Sequence, residues 1–348
     1  MKSIKNLFFI GLIALVAVIT FAGCDNPTGD EEDNPYTEVP IPDANDDTLA
    51  SALAWISGNA VDWGAYTITL KAGETSAPRR LSYEGKQVSI TLKGDAGDRE
   101  VRLSSNGSLF TVESGVMLNV ENLTLKGRGN SEGAANDSAL VQVNAGGVLK
   151  LKTGAVITGN YNPDNDGGGV NVNENAIFAM EGGEIKGNTA KGGVGVNVRG
   201  TFIIKDGTIS GNTATEHGGG GVNVNTGIFT MEGGTISGNT ANDGGGVNVH
   251  LGTFIMEGGT ISGNTATEWD GGGVNVGGNG TFTMKGGTIS DNTAAEVGGG
   301  VAVGENAAFT MEGGTISGNT ATQSGGGVNV WKGTFIMKGG MISGNTAK

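Results

Sequence analysis

One cysteine, two histidines and six prolines are all that 348 residues contain of these types. A single thiol excludes any disulfide within the chain, so packing and hydrogen bonds must hold the fold. The histidines, His217 and His250, are too few and too isolated for a usual zinc site. So little proline excludes collagen and a proline-rich linker. Aromatic residues make up 5%, too few for a conventional large core. Positive charge is scarce as well. Lys and Arg number 21 against 35 Asp and Glu, and the net charge of −14 argues against nucleic acid as a partner. Long apolar runs are missing except at the N-terminus.

That exception is LFFIGLIALVAVI, 13 residues that follow Lys2 and Lys5. It has the length of a signal-peptide core and is too short to span a bilayer as a free helix. Phe21-Ala22-Gly23-Cys24 then resembles the lipobox of bacterial lipoproteins, with Phe where Leu is usual. The resemblance implies removal of residues 1–23 as a signal peptide and a lipid on Cys24. The plainer alternative is an ordinary secretory signal with an incidental thiol. Residues 24–47 hold nine carboxylates and no Lys or Arg, which predicts a solvated, disordered acidic tether. Residues 48–64 read as an N-terminal cap. In TLASALAWISG, 48–58, Leu49, Leu53 and Ile56 share one helical face. Asp47 or Thr48 can cap this helix and Gly58 can end it.

Glycine is what the chain has in excess, at 67 residues, and it recurs with a repeat. GGTISGNTA occurs verbatim at 233–241, 258–266 and 313–321, and near copies occur elsewhere. Strand-like stretches begin at AYTITLKAG, 65–73, and the register tightens from about residue 139. The Ile of this element recurs as Ile157, Ile185, Ile209, Ile236, Ile261, Ile289, Ile316 and Ile342, in steps of 24 to 28. A period in that range is the mark of a solenoid.

One repeat, 244–266, contains three short strand-like runs, GVNV, TFIM and TIS, separated by Gly- or Asn-containing turns. Alternation places Val247 and Val249, Phe254 and Met256, and Ile261 on one apolar face, with Asn248 pointing the other way. Three strands per coil of about 26 residues predict an all-β fold, a right-handed parallel β-helix over 65–348. Coils stacked about 4.8 Å apart bring each inward residue onto its own copy. In the Gly-Asn-Thr turn, Asn is expected to take the left-handed conformation, with stacked amides bonding coil to coil.

Ile-Ser-Gly-Asn-Thr-Ala followed by Gly-Gly-Gly-Val is similar to the F-x-x-N and G-G-A-I repeat of the chlamydial polymorphic membrane proteins, over roughly 155–348. Ile replaces Phe, and Gly-Gly-Gly-Val replaces Gly-Gly-Ala-Ile. The resemblance implies an autotransported adhesin with a β-helical passenger. The plan also resembles repeat-rich surface lipoproteins of spirochaete-like bacteria. With no β-barrel translocator after Lys348, the lipid is expected to serve as the anchor.

Pectate lyases and other polysaccharide enzymes share this fold, but they need clustered outward carboxylates and a base. The outward residues of the first strand are instead Asn171, Asn197, Asn223, Asn248, Asn275, Ala302 and Asn329. Those of the third are Thr and Ser, and none titrates usefully. Thr-x-Ser rows resemble those of ice-binding β-helices, but ordinary outward β-formers explain them. The row Glu181, Lys205, Glu232, Glu257, Lys285, Glu312, Lys338 mixes signs, which suits solubility and register. Asp164, Asp166, Glu174 and Glu184 cluster in sequence; a solvated acidic corner accounts for them better than a weak calcium site near Asp164 and Asp166. DGGGVNV lacks the second Asp of the calcium-binding nonapeptide. Tyr161, His217, Trp269 and Trp331 fall in segments of variable length, where contact residues would lie.

The expected function is a lipid-anchored structural or adhesin-like protein that presents a β-helical rod at the outer membrane or cell surface. No catalysis, cofactor or metal is expected. Its partners would be the membrane, through Cys24, and a host protein or glycan, not nucleic acid. Apolar Val328, Val330, Phe335, Met337 and Ile342 in the last coil also predict self-association there. The alternative is a carbohydrate-active enzyme or a glycan binder on the same fold.

Overall fold

A computed structural model describes residues 35–42, 48–97, 99–130 and 135–348. The expected signal segment, residues 1–23, and Cys24 lie outside the described residues. The described chain is an all-β parallel β-solenoid of about 11 turns, with one short helix near the N-terminus. The Phe and Ile rows belong to one 21-stranded sheet, continuous in Ile177–Lys186 and Thr201–Ser210. The Val-Asn-Val row forms a 10-stranded sheet. A further row, seven Thr-Ala pairs together with Tyr161–Asn162, forms an 8-stranded sheet that the three-strand reading did not include. Two-residue strands leave no alternation to read, which is why the sequence pattern concealed them.

In-register parallel pairing places identical side chains above one another. Ile157 stands opposite Ile185, and the row continues to Ile342 without a slip. Seven phenylalanines from Phe178 to Phe335 stack with ring centroids 4.6–4.9 Å apart and planes within 15°. These rows make a continuous core that no single coil could close.

The Asn of each Gly-Asn-Thr turn points into this interior. Asn188, Asn212, Asn239, Asn264, Asn292 and Asn319 are fully buried. Asn264 Nδ2 donates to Asn292 Oδ1 at 3.0 Å and to the Ile236 carbonyl at 3.0 Å. Its Oδ1 accepts from the backbone N–H of Asn239 at 3.0 Å and from Asn239 Nδ2 at 3.0 Å. Both donors and both lone pairs are therefore used, as burial demands. The expectation that Asn takes the left-handed conformation is corrected. The residue before it does, as Gly263 with φ 63° or Asp291 with φ 57°. That turn is what lets the following Asn aim inward.

The helix Leu49–Asn59 covers the first coil with Leu49, Ala52, Leu53 and Ile56. Thr48 and Ser51 form its capping box, and the Glu74 carboxylate accepts from the Leu49 N–H at 3.1 Å. Gly58 does not end the helix, which runs one residue further and is capped by Ala60.

Residues 35–42, expected within the solvated tether, are instead docked. Thr37–Glu38 pairs with the strand Gly64–Leu70, Val39 and Ile41 pack against the core, and Tyr36 tilts against Trp63 at 5.4 Å. Val39 and Ile41, just after Thr37–Glu38, flank Pro40 as a local apolar pair that the acidic composition of the whole segment masked. In the last coil Val330 and Met337, whose counterparts are buried in earlier coils, are exposed.

Candidate functional site

Length changes between coils are confined to two segments. Phe254 and Ile261 lie seven residues apart, Ile261 and Ala266 five, and the same holds in each coil from Phe178 on. From Ala to the next Val-Asn-Val the spacing is eight after Ala214 and Ala266 but six after Ala241. From the last Val to the next Phe it is four after Val198 and six after Val276. These two segments flank the Val-Asn-Val row. They form the walls of a groove of about 430 Å³ along the middle coils, and the row forms its floor.

The floor was expected to face water. It is instead a second amide ladder, partly covered, with Asn197 at 1% and Asn223 at 7% exposure. Asn197 Nδ2 donates to Asn171 Oδ1 at 2.7 Å and Asn223 Nδ2 to Asn197 Oδ1 at 3.2 Å. Asn248 Nδ2 donates to Asn223 Oδ1 at 2.9 Å and Asn275 Nδ2 to Asn248 Oδ1 at 3.1 Å. This ladder runs in the opposite sense to the inner one and is not saturated. Among the described residues, Asn223 and Asn248 each use one N–H and one lone pair, so one of each stays unused on two side chains that line the groove.

Glu216, His217, Asp243 and Trp269 stand on one wall, with Asp166, and Asn225 and His250 on the other. Trp269 is 54% exposed. Asp243 Oδ2 accepts from Asn275 Nδ2 at 3.2 Å. Burial pushes the Asp243 pKa above the ordinary carboxylate value, and the imidazoles of His217 and His250 pull it the other way. A side chain at Gly218 would meet both the Asp243 carboxylate and the Asn248 amide, so glycine there leaves Asp243 room beside the floor. Lys191 and Glu216 form an ion pair at 3.0 Å on the same wall.

The two histidines, isolated in sequence, thus line one groove. His217, Asp243 and Trp269 follow one another at intervals of 26 residues, one coil each. That interval was the available signal. It is hidden when only the repeated positions are compared, because these residues occupy the segments that do not repeat.

The other residues singled out in the sequence do not converge. Asp166 lines the groove, while Glu184 pairs with Lys186. No three His, Cys, Asp or Glu side chains stand close enough to hold a metal ion among the described residues. Lys285 pairs with Glu257 at 2.8 Å and Lys338 with Glu312 at 2.9 Å. Such exposed pairs contribute little to stability. Trp331 lies outside the groove, with the Lys332 ammonium 4.4 Å from its ring. Tyr161 begins the short strand Tyr161–Asn162. Cys24 lies outside the described residues. No protein-family model matches the chain, and neither a curated protein nor a solved structure proved similar to it.

Proposed function

We propose that the chain is a lipid-anchored surface protein whose solenoid is a non-catalytic adhesive rod, with the asparagine groove as its contact surface. The observation that carries this reading is the floor. Neutral amides in successive coils offer an extended partner the same contact at Asn223 and again at Asn248, whereas catalysis needs one special coil. The resemblance to adhesin repeats points the same way. Beads coated with the full chain should adhere to epithelial or matrix-coated surfaces and leave the surface chemically unchanged. Absence of adhesion would overturn the reading.

The anchor is the lipid on Cys24, at the outer membrane or cell surface. Among the described residues no helix is long and apolar enough to cross a membrane. If the lipid is the anchor, Cys24→Ser in the chain cleaved before residue 24 should move from the detergent phase to the aqueous phase on phase partitioning. Retention of the variant in the detergent phase would contradict the lipoprotein assignment.

One observation favours a second reading, a carbohydrate-active enzyme. Asp243 has a carboxyl whose pKa burial raises, and it lies near His217 and His250. Steady release of product from a polysaccharide, abolished by Asp243→Asn, would replace adhesion with catalysis.

A further inference from the structure

We propose that the groove binds a neutral oligosaccharide laid along the solenoid axis, with a sugar ring against Trp269 and hydroxyls on Asn223, Asn248 and Asp243. This inference rests on the reading of the groove as the contact surface and names the chemistry of the partner.

The unused bonding capacity of the floor selects the ligand. Asn223 and Asn248 line the groove, and each keeps one N–H and one lone pair that the protein does not engage. A hydroxyl both donates and accepts, so it can satisfy either. An ammonium group only donates and would leave the amide N–H unmatched. A carboxylate or sulfate only accepts, and it would also meet Asp166, Glu216 and Asp243 on the wall. A bare cation lacks its ligand set among the described residues. An apolar segment would bury these amides unsatisfied, at a cost.

Shape agrees with this selection. The amides recur once per coil, about every 4.8 Å, so successive sugars can meet the same contact at Asn223 and at Asn248. The exposed indole of Trp269 offers an apolar face for the C–H side of a ring while the amides take the hydroxyls. The usable row is short. At Asn275 both N–H groups are engaged, by Asp243 and Asn248, and at the next coil the floor residue is Ala302. Affinity should therefore rise with chain length only until the row is covered.

The test is titration of the full chain with oligosaccharides of glucose, galactose, mannose and N-acetylglucosamine, read by calorimetry and tryptophan fluorescence. Oligogalacturonate, heparin fragments and an oligolysine peptide serve as contrasting arms. At least one neutral series should bind, with little dependence on salt. Trp269→Ala and Asn248→Ala should each weaken binding about tenfold, and Trp331→Ala should leave it unchanged. Thermal melting of each variant shows whether the fold is kept. Asn225→Ala, on the rim, provides a second polar deletion should Asn248→Ala melt early. The proposal is overturned if no neutral series binds, if only a charged arm binds, or if folded Trp269→Ala binds like the parent. Bead adhesion separates the two readings. Beads that adhere without any neutral sugar binding would remove the sugar and keep the adhesin, whereas beads that fail to adhere would remove the adhesin itself.

Discussion

Asn264→Asp should destabilise the middle coils by at least about 4 kcal/mol at neutral pH, although it changes a single NH₂ to an oxygen. Asn264 is fully buried, and its Nδ2 supplies two bonds, to Asn292 Oδ1 and to the Ile236 carbonyl. An aspartate oxygen there faces two acceptors instead of donating to them. Each buried group left unmatched costs roughly 1–3 kcal/mol, and an unpaired buried carboxylate adds to this. The burial would raise the folded-state pKa of the new acid above its unfolded value near 3.9. The charge penalty is therefore absent below about pH 4 and grows as the pH rises from there toward the folded-state pKa. Melting of the variant against pH reads both parts. Asn248→Asp is the control. It forfeits one bond, to Asn223, at a half-covered site, for about 1 kcal/mol. Equal losses at the two sites would contradict the division into a saturated inner ladder and an unsaturated outer one.

Phe254→Ala should cost about 3–5 kcal/mol. The ring is fully buried between Phe229 and Phe282, each at a centroid distance of 4.7 Å. Its neighbours are held in register by backbone pairing on both sides. They cannot slide together to fill the gap, so the cavity persists. Because coils interact mainly with their neighbours, the loss should appear as early opening around this coil rather than as uniform weakening. Hydrogen exchange of the Thr253–Met256 and Thr281–Met284 amides measures it. Ile255→Ala, on the outward side of the same strand, should shift stability by less than about 1 kcal/mol.

The rows of the solenoid were legible in the sequence because one side chain repeated at a near-constant interval admits few arrangements. Val247, Phe254 and Ile261 each announce a strand and its inward face. The small rows were not legible. Thr265–Ala266 is too short to alternate, and nothing in its composition marks a sheet. The sequence places Asn264 in a turn and Asn248 in a strand, but it does not show which of the two amides is buried and saturated. What separates them is the turn at Gly263, which rotates one amide inward while the other stays on the outer face. The groove was half legible. The variable segments carrying His217 and Trp269 could be marked as contact regions, but Asp243 could not. Its significance depends on lying one coil from each of them, beside the space that Gly218 leaves open.

The most direct measurement is exchange of asparagine side-chain amide protons in the intact protein. The inner amides of Asn239, Asn264 and Asn292 should be strongly protected, and the outer set, led by the half-covered Asn248, should exchange faster until a ligand fills the groove. Equal protection of the two sets in the free protein would mean that the outer ladder has no bonding capacity to offer, and the groove would lose its claim to be the contact surface.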